Sequence, residues 1–151
     1  TSKSLLKALR ASNDGGALWL NGDVVFDPEV LNRILPLIEA DKSFVVVNTS
    51  KVSEEEVKYT LSSDGFIHKL SKQVEGGLGE AVGINFVSGS DKKALIKRLA
   101  EVDDQDYFER GIELGIESDG LSFEAVDISD LYAVEVDFAE DLERANEHFK
   151  N

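Results

Sequence analysis

Cysteine is absent from these 151 residues, and so is methionine. Without a thiol there is no disulfide, no thiolate zinc centre and no cysteine nucleophile, a usage that fits a reducing compartment and makes the cytoplasm the expected location. The missing methionine includes the initiator, and the chain opens directly on the amphipathic stretch Thr1-Ser2-Lys3-Ser4-Leu5-Leu6-Lys7-Ala8-Leu9-Arg10, so it reads as part of something longer. That opening lacks the apolar core of a secretory signal, and no later segment approaches 18 apolar residues, so neither a visible export signal nor a membrane span is expected. Basic residues are also scarce: 16 against 30 acidic ones, a net charge of -14. Such a balance repels nucleic-acid backbones and anionic membrane surfaces, which removes both as expected partners. Most of the carboxylates serve as a solvated surface; those at strand ends are the exception.

What is present is an alternation of short apolar runs and amphipathic stretches. Helical spacing covers Ser4 to Ala11, a stretch opened by Asp27-Pro28-Glu29 and running to Ile38, Asp91 to Leu99, Asp106 to Leu114, and Ala139 to Phe149. Proline at the first helical position after an aspartate cap suits the second of these, and Pro36 is expected to distort its last turn. Ala17-Leu18-Trp19-Leu20, Phe44 to Asn48, Glu80 to Val87, Phe123 to Val126 and Ala133 to Asp137 read as strands, too short or too β-branched for helices. Val57 to Leu61 and Phe66 to Leu70 alternate on either side of Ser62-Ser63-Asp64-Gly65, which describes a hairpin. Together these predict one α/β domain over residues 1–151, a Rossmann-like, mostly parallel sheet with a small antiparallel β insertion.

Chemistry is expected where strands end in carboxylates. A buried strand that stops at Asn21-Gly22-Asp23 sets Asp23 at the carboxyl edge of a parallel sheet, where open α/β folds bind ligands. Glu135-Val136-Asp137 is a second acidic strand end. A hard divalent cation such as Mg²⁺ takes oxygen ligands, commonly one or two protein carboxylates beside substrate phosphates. Asp23 and Asp137 on neighbouring strand ends meet that need; the competing reading of Asp137 is a helix cap for the segment that follows. Gly76-Gly77-Leu78-Gly79 neither follows a strand nor opens a helix, so it is not a dinucleotide fingerprint. His68 and His148 read as surface residues, and Glu54-Glu55-Glu56 as a solvated acidic turn.

Leu20-Asn21-Gly22-Asp23-Val24-Val25-Phe26 resembles the segment of nucleotidyltransferases for sugar phosphates and phosphorylated head groups in which an aspartate ends a central strand. Further matches follow in order. Glu80-Ala81-Val82-Gly83-Ile84 resembles the glutamate-to-glycine turn that meets the acceptor, Asp106-Tyr107-Phe108-Glu109-Arg110 the aromatic-acidic helix start of phosphocholine-type cytidylyltransferases, and Tyr132 to Ala145 the closing strand, metal aspartate and final helix. The resemblance implies a nucleotide-diphospho-sugar transferase-like fold that lacks, ahead of Thr1, the family's glycine-rich nucleotide loop, so the chain alone is expected to be inactive. It further implies Mg²⁺ held by Asp23 and Asp137 with Glu135 as a third carboxylate, and Lys72 directed at the acceptor phosphate, with Lys58 a second cation. Glu80 would meet the polar part of the acceptor; for a quaternary or primary amine, Tyr107 would offer an aromatic face and Glu109 a counter-charge. The implied reaction joins CTP to a small phosphorylated alcohol or phosphonate and releases pyrophosphate, work done by holding two anions together and neutralising charge.

Competing readings stand beside these. Lys58 and Lys72 also read as outward-facing lysines, and Tyr107 as a core or rim aromatic. For the whole chain the alternatives are a sugar-phosphate nucleotidyltransferase using another nucleoside triphosphate, and a non-catalytic α/β binding or regulatory module.

Overall fold

A computed structural model describes residues 1–150. Leu5, Leu6 and Leu9 recur at helical spacing in α1 (Ser2–Ala11), and all three are buried. That apolar stripe is what holds a helix of this length, since short helices gain most of their stability from packing. The chain continues through β1 (Ala17–Leu20), β2 (Val24–Phe26), α2 (Glu29–Glu39), β3 (Phe44–Asn48), the hairpin β4 (Lys58–Leu61) and β5 (Ile67–Ser71), and the long β6 (Gly79–Val87). It then forms α3 (Lys92–Glu101), α4 (Phe108–Asp119), β7 (Glu124–Asp127), β8 (Ala133–Glu135) and α5 (Ala139–His148).

The sheet is ordered β5-β4-β6-β3-β7, with β1 also paired to β6. β6 is long enough to carry two partners on one edge. β1 lies against Ile84 to Val87 and β4 against Gly79 and Glu80, while β3 takes the other edge. Only β3 and β7 are a parallel neighbouring pair, because β6 runs against β1, β3 and β4, and β5 against β4. β1, β3, β4 and β7 therefore point one way, with β5 and β6 opposed. All five residues of β3 are buried, as a strand covered on both faces requires.

Two apolar clusters explain that coverage. Leu5, Leu9, Leu95, Leu99, Phe108 and Ile112 from α1, α3 and α4 pack on one face around Val45, Val47 and Val87. Val30 and Ile34 of α2 pack on the other around Phe44, Val46, Ile84 and Phe86. The α/β layering and the antiparallel hairpin expected from the sequence are both present. Differences lie at element ends. α2 starts one residue after Pro28, with the Asp27 carboxylate accepting the Glu29 N–H at 2.9 Å, and it runs through Pro36 to Glu39. α4 starts at Phe108 and extends to Asp119. β2 is a strand that the sequence did not announce. It forms a separate two-stranded ribbon with β8, and β8 ends at Glu135, so Asp137 lies beyond the pairing. No helix among the described residues is long and apolar enough to cross a membrane.

One glycine positions the rest. Gly83 has φ of 94° at the shift in β6 where the strand exchanges β4 for β1, a conformation that L side chains rarely adopt. A Cβ there would lie 2.8 Å from Asn21 Nδ2. The Asn21 N–H donates to the Gly83 carbonyl at 2.8 Å, which seats the turn carrying Asp23 against the sheet.

Candidate functional site

The β2–β8 ribbon does the decisive positioning. Val24 pairs with Glu135, and the Val136 N–H donates to the Asp23 carbonyl at 2.8 Å, so the two acidic segments meet side by side. Carboxylate oxygens of Asp23, Glu135 and Asp137 lie within 4.8 Å of one another. Asp137 does not adopt its competing role as the cap on α5: the N-cap position is Phe138, and Asp141 in the first turn reaches back to the main chain before the helix. Asp141 Oδ2 accepts the N–H groups of Phe138 at 3.0 Å and of Asp137 at 3.1 Å, satisfying donors at the helix start. The Asp137 carboxylate is left to face Asp23 and Glu135.

Nothing within the described residues neutralises this trio by an ion pair. Burial, followed by the nearby charges of Glu56, Asp23, Asp137 and Glu80, pushes the Glu135 carboxyl up to about 7. An all-oxygen, electrostatically uncompensated donor set of this kind fits a hard divalent cation such as Mg²⁺.

An open cavity of about 1070 Å³ lies beside the trio, between the loop after β3 and the β8–α5 segment. Its walls include Glu55, Glu56, Glu80, Glu135, Asp137 and Glu147, against which Lys51 and Arg144 are the lysine and arginine present. His148, which reads as a surface residue in the sequence, stacks on Tyr132 with centroids 3.7 Å apart and 9° between planes, and both face the cavity. Glu80 Oε1 accepts the Ser53 N–H at 2.7 Å and its hydroxyl at 2.8 Å, so the loop is tied to β6 through the residue expected to meet the acceptor. Glu56, expected as part of a solvated turn, is half-buried. Its carboxyl is raised by burial and by Glu80.

The lysines divide. Lys58 is 6% exposed, and its ammonium donates to the carbonyls of Ser53, Glu54, Glu56 and Lys72 at 2.8 to 3.3 Å. Its three N–H groups are thus committed to the main chain. Its geometry is that of a positioning residue, neither the outward-facing lysine nor the free second cation that the sequence offers. Lys72 is exposed and places Nζ 4.9 Å from the centroid of the Tyr107 ring. Tyr107 stands at the start of α4, 48% exposed, and Glu109 sits in the first helical turn, 8% exposed. Lys72, Tyr107, Glu109 and Glu135 line a second, smaller cavity of about 150 Å³. The structure therefore gathers Asp23, Glu135 and Asp137 at one point, Glu80 on the large cavity, and Lys72, Tyr107 and Glu109 on the small one. Glu56 and Glu135 border both. Glu56 and Asn85, another small-cavity residue, escaped the sequence reading. The single available signal was strict alternation along β6, which puts a polar Asn85 on the face carrying Ala81 and Val87.

No family model and no curated protein matches this sequence. Solved structures do share its fold. The inositol-1-phosphate CTP transferase of T. maritima superposes with a TM-score of 0.73 at 13% identity, over 97% of this chain and 62% of that one. A putative glucose-1-phosphate thymidylyltransferase from Bacillus anthracis gives 0.70 at 11% identity, over 100% and 61%. The UTP-bound UGPase of Acinetobacter baumannii gives 0.68 at 12%, over 98% and 55%. The chain has the mixed α/β fold of these transferases and spans about three-fifths of their length.

Proposed function

We propose that this chain carries the metal-binding and acceptor-binding part of a cytoplasmic nucleotidyltransferase that couples CTP to a small phosphorylated alcohol or phosphonate. The observation that carries the reading is the meeting of Asp23, Glu135 and Asp137 within 4.8 Å beside a cavity walled by Glu80. An acceptor phosphate oxygen would attack the α-phosphorus of the nucleotide as the bond to pyrophosphate breaks. Mg²⁺ at the trio would supply charge neutralisation for the phosphates. Lys72 would contribute a positive charge toward the acceptor phosphate, and Glu80, fixed by Ser53, would orient its polar part. None of these steps needs a protein nucleophile, in keeping with the missing cysteine.

The test is pyrophosphate release from CTP with Mg²⁺ and candidate acceptors by the full-length protein. Asp23→Asn and Asp137→Asn are each expected to lower turnover by at least about a hundredfold, the scale on which loss of a catalytic electrostatic group is felt. Full turnover in both variants sinks the metal assignment. The alternative, a sugar-phosphate nucleotidyltransferase using another base, is favoured by the thymidylyltransferase and UGPase among the similar folds. Calorimetric titration with CTP, UTP, GTP and dTTP separates the two.

A further inference from the structure

α5 follows the cation site directly and has little to dock it. Ala145 is the residue of this helix that is buried, and no ion pair joins the helix to the rest of the described chain. Phe138 at its start and Leu142 one turn on are 74% and 51% exposed, so the apolar stripe that normally holds a short helix to its domain is missing here. The bonds from the N–H groups of Asp137 and Phe138 to Asp141 Oδ2 shape the entry to the helix. They do nothing to fix its far end.

Aromatic rings fix that end instead. His148, the last residue of α5, stacks on Tyr132 with centroids 3.7 Å apart and 9° between planes. Phe149 sets its edge against both rings, at 5.5 Å and 80° to Tyr132 and 4.8 Å and 82° to His148, and stacked and edge-on contacts are the geometries that aromatic quadrupoles favour. Tyr132 is itself anchored. Its carbonyl accepts the Asp27 N–H at 2.8 Å, and the next residue, Ala133, pairs with Phe26 in the β2–β8 ribbon. The chain thus leaves along β8, bends at Asp137 and returns along α5, and the stack closes the loop at its base. Asp137 stands at the bend, its main chain tied through Asp141 to the direction of the helix. Tyr132, His148, Asp141 and Arg144 also border the large cavity, so the same contact sets one of its walls.

We propose that His148 and Tyr132 are positioning residues for the cation site: their stack fixes α5 against β8 and, through Asp141, holds the Asp137 carboxylate beside Asp23 and Glu135. This rests on the reading of the acidic trio as the Mg²⁺ site of a nucleotidyltransferase. The role asks for a flat ring at position 148 and makes no use of imidazole nitrogens, which separates it from that of an acid, a base or a metal ligand. Phenylalanine there keeps the ring; alanine does not.

Calorimetric titration of the full chain with Mg²⁺ tests the assignment. His148→Ala is expected to bind Mg²⁺ about tenfold more weakly, the low end of what loss of support around a metal ligand costs, and His148→Phe to stay within about twofold of the parent. In Asp137→Asn the alanine substitution should cost nothing further, because the carboxylate that the stack positions is gone. Amide exchange over residues 138–149 should quicken in His148→Ala while α3 is unchanged. An undiminished affinity in His148→Ala, a loss shared by His148→Phe, a full loss on top of Asp137→Asn, unaltered exchange in α5, or no Mg²⁺ binding by the parent overturns the proposal. His148→Leu, which keeps an apolar side chain without a ring, replaces the alanine variant if that one does not fold. Failure of the nucleotidyltransferase reading looks different: Mg²⁺ binds and depends on His148 in this way, yet no nucleoside triphosphate yields pyrophosphate.

Discussion

Glu109 shows how a single buried carboxylate ties site chemistry to stability. Desolvation raises its pKa from 4.5 to about 7, so the folded state holds this proton more tightly than the unfolded chain does. The sign follows from linkage: the contribution is fully present below about pH 4.5, declines as pH climbs, and is gone above about pH 7. The loss is on the order of 3 kcal/mol at most. Glu109→Gln removes the titration, so the variant should gain on the parent in melting temperature between pH 4.5 and pH 8; parallel pH dependences would show that the carboxyl is not buried as described. The residue type and its place near a helix start are legible in the sequence. The sequence does not show the burial, which leaves Glu109 8% exposed once α4 packs into the fold. Asp130 shows the reverse. Its hydrogen bonds to Arg33 lower it to about 2, yet the pair is exposed and so contributes little.

At the scale of elements, the loop from Ser53 to Glu56 is held by two residues rather than by regular structure. Glu80 grips Ser53, and the Lys58 ammonium takes three carbonyls of the loop and that of Lys72. Lys58→Met keeps much of the buried stem but abandons those four acceptors. It should destabilise the protein by about 2 kcal/mol and speed amide exchange in residues 53–57, with little change in α3 or α4. Uniform exchange across the molecule would mean that the lysine holds no local structure. The start of α5 offers a second case. Asp141→Ala removes the carboxylate that accepts from Asp137 and Phe138, at a cost of about 1 kcal/mol, the net worth of such a hydrogen bond. Mg²⁺ affinity should fall several-fold as the Asp137 segment loosens, a change that calorimetric titration resolves. The hairpin was legible from alternation and turn residues. The commitment of Lys58 was not, because an alternating strand pattern says which side a residue takes but not whether carbonyls wait there.

Across the molecule, the acidic trio concentrates negative charge that no ion pair among the described residues offsets, so divalent ions should act as folding ligands. Saturating Mg²⁺ at a hundred times its dissociation constant would add about 2.7 kcal/mol, read as a rise in melting temperature that is absent in Asp137→Asn; an equal rise in that variant would place the ion elsewhere. The α/β class, the order of nearly all elements and the carboxylates worth watching were legible in one dimension. Hydrophobic spacing and turn chemistry are local and survive in a one-dimensional reading. Three features emerge only in the folded chain: the short, half-buried β2–β8 ribbon that joins Asp23 to Glu135 and Asp137, the reversal of β6 against its neighbours, and the cavity lined by Asn85 and Glu109, whose Nδ2 and Oε2 have no partner among the described residues. Each depends on contacts between segments far apart in the chain. Their energy comes from the shared burial of surfaces that no single segment possesses.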